Sequence, residues 1–125
     1  MVQFIDVNYS TLRKCESRGL TGFSMGGYGT WDLSARYPDL FAAAMPICGG
    51  GDVQQAGKLT KLPIWVFHGD ADKAVPVERS RAMVSAIKQR GGNIKYTEYP
   101  GVGHDSWTAT FSNPEIMQWL FDQAR

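Results

Sequence analysis

Gly22-Phe23-Ser24-Met25-Gly26 sets a single serine between two glycines. A serine hydroxyl is a poor nucleophile at neutral pH, so it attacks a carbonyl only with a base in hydrogen-bond reach and a third group to orient that base. The glycines suit a sharp strand-to-helix turn, a nucleophile elbow, on which the serine is lifted above the carboxyl end of a sheet and flanking side chains would collide. A glycine-rich turn holding one serine also occurs in ordinary loops, and here the flanks decide between the two. Arg18 to Phe23 is short and apolar enough for a strand, and Tyr28, Trp31, Leu33 and Ala35 recur at helix-like spacings until Pro38 stops them.

The chain holds only two histidines from which to choose a base, His68 and His104. His68 ends an apolar run just before Asp70 and Asp72, where a histidine bonded locally is the better reading. His104 lies in Pro100-Gly101-Val102-Gly103-His104-Asp105-Ser106-Trp107, a glycine-bracketed loop from which a side chain can hang over the sheet toward the serine. The orienting acid is expected in the loop after Gly69, because loops at the carboxyl ends of parallel strands converge over one crevice. Asp70 and Asp72 both qualify. Asp70 is expected to bond the backbone of its own turn, which leaves Asp72, at the loop crest before Val75-Pro76, as the candidate. The order Ser24, Asp72, His104 matches one triad class and differs from the other two familiar orders.

A constellation of this kind needs a parallel sheet with helical crossovers. Leu40 to Pro46 reads as a buried strand, and Gly49-Gly50-Gly51-Asp52 ends it in a loop that must pass close to something. A short polar helix or loop follows through Lys61. Pro63 to Gly69 is a continuous apolar run, as in a strand covered on both faces near the sheet centre. Pro76 opens a helix with Met83, Val84 and Ile87 as its apolar face, and Gly91-Gly92 ends it. Ile94 to Tyr99 alternates as an outer strand does, and Asn113-Pro114-Glu115 caps a closing helix with Ile116, Trp119 and Leu120 on one stripe. The expectation is one α/β domain over residues 1–125 with about four parallel strands, in the order β-α-β-β-α-β-α. Residues 1–17 are atypical; Val2 to Val7 alternates like one extra strand, and Asn8, Tyr9 and Ser10 could donate hydrogen bonds.

Thirteen basic against twelve acidic residues give a net charge of +1, which carries no footprint for nucleic acid or an anionic membrane. The longest apolar stretch, Phe41 to Ile47, is interrupted by Pro46 and far too short to span a bilayer, and Asp6 and Asn8 stand where a signal peptide needs an unbroken apolar run. The chain as it stands reads as soluble and cytoplasmic. Cys15 and Cys48 show neither metal-ligand spacing nor a disulfide framework and read as reduced and structural. His68, Asp70, Asp72, His104 and Asp105 are the right types for metal-activated water, an alternative that leaves the glycines around Ser24 unexplained. No cofactor and no metal is expected.

From about Arg18 onward the sequence resembles the carboxyl-terminal half of α/β-hydrolases of the carboxylesterase, phospholipase and predicted-peptidase group, which is dienelactone-hydrolase-like. The matching motifs are Gly22-Phe23-Ser24-Met25-Gly26-Gly27, His68-Gly69-Asp70-Ala71-Asp72 through Val75-Pro76, and Gly103-His104-Asp105. The resemblance implies that Ser24, Asp72 and His104 form the triad of a serine esterase and that the Met25 backbone N–H serves the oxyanion hole. It also places Trp107 near the substrate mouth, as in secreted relatives, with core packing as an equal alternative. The expected substrate is a small carboxylic ester with a short acyl group, because so short a chain carries no cap domain to enclose a long one; peptidase and thioesterase chemistry use the same machinery.

Relatives in that group build the first half of the sheet at about 30 residues per strand-plus-helix unit, whereas 23 residues precede Ser24. The expectation is therefore a truncated fold that lacks the usual second oxyanion donor, a loss of about 3–4 kcal/mol of transition-state stabilisation. It also leaves an apolar edge that a homodimer or residues 1–17 must cover. A fold remnant without turnover is the non-enzymatic alternative.

Overall fold

The computed structural model describes residues 19–124. Strands β1 (Gly19–Phe23), β2 (Ala43–Ile47), β3 (Ile64–Gly69) and β4 (Ile94–Tyr99) form one sheet in that spatial order. Every neighbouring pair is parallel, with Phe23 opposite Ile47, Ile47 opposite Phe67 and Phe67 opposite Thr97. Helix α1 (Met25–Arg36) joins β1 to β2, a 3-10 segment over Val53–Leu59 lies between β2 and β3, and α2 (Glu78–Gln89) joins β3 to β4. Two further helices follow β4: α3 (Ser106–Phe111) and α4 (Pro114–Ala124). The expected order of strands and crossovers is present.

The period-two alternation of the inner strands sorts their side chains onto two faces. Leu20, Ala44, Ile64 and Val66 meet Trp31 of α1, Leu59 of the 3-10 segment and Met83, Val84 and Ile87 of α2. Ala43, Met45, Ile47 and Phe67 meet Ile116 and Leu120 of α4. Each crossover advances one strand in the same direction, so all three pack on one face, and the helices after β4 must cover the other. This double cover is why β3 reads as an unbroken apolar run. It lies inside the sheet, while β4, with its alternating pattern, is an outer strand.

Some local boundaries differ from the sequence reading. Leu40 belongs to a 3-10 turn over Pro38–Leu40 and the strand starts at Ala43, because Pro38 directs the chain into a turn first. Tyr28 is 39% exposed despite its helical spacing. Helix α3 stands where the sequence reads as loop; its six residues include the β-branched Thr108 and Thr110 and are too few to show a period. Asn113 caps α4 as expected, its Oδ1 accepting the Glu115 N–H at 3.0 Å. The expected extra strand, the donors at residues 8–10 and Cys15 lie outside the described residues. Among the described residues no helix is long and apolar enough to cross a membrane.

Candidate active site

Because the strands are parallel, the segments leaving β1, β3 and β4 emerge at one edge of the sheet, and these segments carry Ser24, Asp72 and His104. Ser24 sits in the single residue between β1 and α1, with φ 56° and ψ −118°. That conformation costs a non-glycine residue about 1–3 kcal/mol. The turn is held by its own backbone: the Ser24 N–H donates to the Ile47 carbonyl at 3.1 Å, and the Ser24 carbonyl accepts from Gly27 and Tyr28 at 2.9 and 3.1 Å. A Cβ on Gly22 would stand 2.5 Å from the Gly26 carbonyl oxygen, so the arms of the turn close only without a side chain there.

The loop carrying His104 is packed onto the end of β3. The Ala71 N–H donates to the Val102 carbonyl at 3.0 Å, and Asp70 Oδ1 accepts the Gly101 N–H at 2.7 Å. Asp70, expected to bond its own turn, instead ties the two loops together, because the close packing of Gly69 on Val102 and Gly103 brings Gly101 within its reach. Asp72 makes the bonds within the turn: Oδ1 accepts from the amides of Ala74 at 2.9 Å and Val75 at 2.8 Å.

The other oxygen of Asp72, Oδ2, lies 2.8 Å from His104 Nδ1, and His104 Nε2 lies 2.8 Å from Ser24 Oγ. A carboxylate only accepts, so Nδ1 carries the proton and Nε2 is left to accept from the serine hydroxyl. The Asp72 side chain is fully buried while that of His104 is 29% exposed, so the acid is shielded and the imidazole can be reached. Burial works to raise the Asp72 carboxyl, but bonds from His104, Val75 and Ala74 outweigh it and hold the carboxyl below its usual range. The base and acid candidates are thus brought together with Ser24, across 80 and 32 positions of sequence separation.

Met25 begins α1, so its N–H has no intrahelical acceptor. Its side chain is 86% exposed. Trp107, on α3, stacks on Phe23 with ring centroids 4.6 Å apart and stands edge-on to His104 at 5.4 Å. It also packs against the lower core face, so it belongs both to the core and to the wall beside His104.

Two residues have contacts at this site that the sequence reading did not assign to them. His68 makes the expected local bond, reaching the Val75 carbonyl at 2.8 Å; it also approaches Asp72 Oδ2 at 3.3 Å. Cys48, fully buried with φ 44°, places Sγ 3.3 Å from the Ser24 N–H. Burial pushes its thiol up, more than the Ser24 amide brings it down. Cys48, Asp72 and His104 offer ligand atoms within 4.8 Å of one another. Of the set considered for a metal, Asp70 and Asp105 are exposed and fall outside this group of three, and His68 is committed to other bonds. No single residue pattern announces Cys48; its neighbours in the run Cys48-Gly49-Gly50-Gly51 were the only signal.

The profile of the Dienelactone hydrolase family matches residues 4–114. Acyl-protein thioesterase 1 of Neurospora crassa is 41% identical over 46 residues, 37% of this chain and 19% of that protein. An endo-1,4-beta-xylanase/feruloyl esterase of Xylanibacter ruminicola is 28% identical over 121 residues, 97% of this chain and 16% of that protein. Among solved structures, a thermostable esterase superposes with a TM-score of 0.84 at 48% identity, over 88% of this chain and 32% of its own. The chain spans less than a third of the length of each of these relatives.

Proposed function

We propose that this chain, which belongs to the dienelactone hydrolase family, hydrolyses carboxylic esters with Ser24 as nucleophile, His104 as general base and Asp72 as the group that orients the base. The observation that carries this reading is the continuous hydrogen-bond path from Ser24 Oγ through His104 to Asp72 Oδ2, 2.8 Å at each step. Ser24 Oγ attacks the ester carbonyl while His104 Nε2 takes its proton. The tetrahedral oxyanion faces the Met25 N–H, where the start of α1 offers a donor with no other intrahelical use. Collapse of that intermediate returns the proton to the departing alcohol and leaves an acyl group on Ser24. Water then attacks with His104 as base, releasing the acid.

Asp72 holds the tautomer that makes this possible, and its depressed carboxyl keeps it ionised while His104 becomes an imidazolium. The strained Ser24 conformation presents Oγ at the sheet edge, beside Trp107 and Phe23, which offer a wall for a small acyl or alcohol group. Short acyl groups are the proposed preference, and the reaction needs no cofactor or metal. A thioester is the second reading, favoured by the similarity to an acyl-protein thioesterase over 46 residues.

The test is hydrolysis of p-nitrophenyl acetate by the full chain beside Ser24→Ala, together with labelling by a serine-directed phosphonate. The expected result is activity and labelling in the parent, neither in Ser24→Ala, and no change on adding a chelator. Chelator-sensitive turnover that survives Ser24→Ala would overturn the proposal in favour of metal-activated water.

A further inference from the structure

His68 has no exposed surface, and both of its ring nitrogens are committed. Nε2 faces only acceptors, the Val75 carbonyl at 2.8 Å and Asp72 Oδ2 at 3.3 Å, so it carries a proton. In the neutral ring Nδ1 is then an acceptor, and it lies 2.7 Å from Ser80 Oγ on α2. One imidazole therefore bridges three segments: the end of β3 that bears it, the turn from Asp72 to Val75, and the first turns of α2.

Seen from Asp72, the carboxylate has donors on both oxygens. The Ala74 and Val75 amides hold Oδ1, and two imidazoles, His104 and His68, face Oδ2. A carboxylate torsion is broad and two-fold, so one pair of donors does not fix where the second oxygen points. The Val75 carbonyl adds a second constraint, since the Val75 N–H that binds Asp72 belongs to the same buried residue. Remove the His68 N–H and that carbonyl loses the donor that holds it at 2.8 Å, while Oδ2 keeps His104 as its single partner among these residues.

We infer that His68 is a positioning residue, which aims Asp72 Oδ2 at His104 Nδ1 by clamping the acid's turn against β3 and α2. The inference rests on the reading of Ser24, His104 and Asp72 as a catalytic unit. His68 touches no substrate. Its effect passes through Asp72 to His104 and so to the placement of Nε2 against Ser24, where an error of about 1 Å can cost on the order of a hundredfold in rate.

Two amide side chains separate the bonds of this ring. Glutamine places its NH2 near the position of Nε2 and keeps the donor to Val75 and Asp72; asparagine reaches only the position of Nδ1. In phosphonate-titrated enzyme, His68→Asn is expected to lower kcat by about tenfold to a hundredfold with KM within about twofold, and His68→Gln to stay within about threefold of the parent. The low-field proton resonance of a hydrogen-bonded His104 Nδ1–H is expected in the parent and His68→Gln and absent in His68→Asn. That resonance needs no turnover, so an inactive parent would fail the catalytic reading while the spectrum still judged His68. Folded His68→Asn with parental kcat and resonance would overturn the inference, as would equal loss of kcat from both variants. Should His68→Asn fail to fold, Ser80→Ala, which frees one side of the ring, is expected to weaken the same resonance and lower kcat by about threefold or more; a parental spectrum and rate would overturn the inference equally.

Discussion

Replacing Asp72 by asparagine changes one atom and should invert the polarity of the whole site. The two turn amides, Ala74 and Val75, require an acceptor at the Oδ1 position, at 2.9 and 2.8 Å. The amide oxygen of the substituted side chain must therefore take that place, and its NH2 then occupies the position of Oδ2. There it meets His104 Nδ1 at about the 2.8 Å now held by the carboxylate. Two donors cannot share that contact, so His104 switches tautomer, accepts at Nδ1 and carries its proton on Nε2, opposite the Ser24 hydroxyl whose proton it should receive. The backbone around the turn keeps its bonds, so the fold survives while the base is lost. The expected cost is about 10⁴ in kcat, the scale of a wrong-tautomer histidine, or about 5.4 kcal/mol of activation free energy. The assay is kcat/KM on p-nitrophenyl acetate, normalised to sites that react with a phosphonate in the parent and to folded protein by circular dichroism. Asp72→Asn within tenfold of the parent, or a large loss from Asp70→Asn with none from Asp72→Asn, would refute the assignment of the acid.

Gly22→Ala should cost more than about 1–3 kcal/mol, because its Cβ would lie 2.5 Å from a backbone carbonyl that cannot swing away; the melting temperature should fall by more than about 5 °C, and an unchanged value would refute the close approach. Glu98 is held down to about 2 by the Arg81 guanidinium, paired at 2.8 Å, and by the Tyr96 hydroxyl. Its folded pKa lies below the unfolded one, so its stabilisation is complete above the ordinary carboxylate range and is lost as pH falls from about 4.5 toward 2. Glu98→Gln should therefore lower the denaturation midpoint at pH 6 and by much less at pH 2, and equal midpoints at pH 6 would refute the pairing. We further propose that two copies pair through β1, which with β4 is one of the two outer strands among the described residues; light scattering at micromolar concentration should give a dimer or larger, and a stable, unaggregated monomer would refute it.

What could be read without the fold was whatever a local pattern encodes. The glycines around Ser24 announce a close approach within five residues, and the apolar run over β3 announces cover on both faces. The stripe Met83, Val84 and Ile87 marks the buried side of α2 at helical period. The order Ser24, Asp72, His104 could be read because a parallel sheet delivers the ends of its strands to one edge whatever the details between them. Those signals involve neighbours in sequence, or a topology that few alternatives satisfy.

Contacts between loops are another matter. Place in the loop favours Asp72 over Asp70 as the acid, but it does not show that Asp70 bonds Gly101 while Asp72 bonds both its own turn and His104; that difference lies in how β3 and β4 are registered and how closely the next loop rests on Gly69. The same holds for His68, whose local bond to Val75 was legible while its approach to Asp72 Oδ2 depends on the fold of the turn. Cys48 reaches the Ser24 amide only because β2 runs beside β1 in one register and its backbone turns through a positive φ. Helix α3 is too short to show a period and forms where Asp105 ends the loop. Periodicity and turn chemistry act over a few residues and survive in the sequence, whereas the direction of a hydrogen bond between distant segments exists only once the sheet has aligned them.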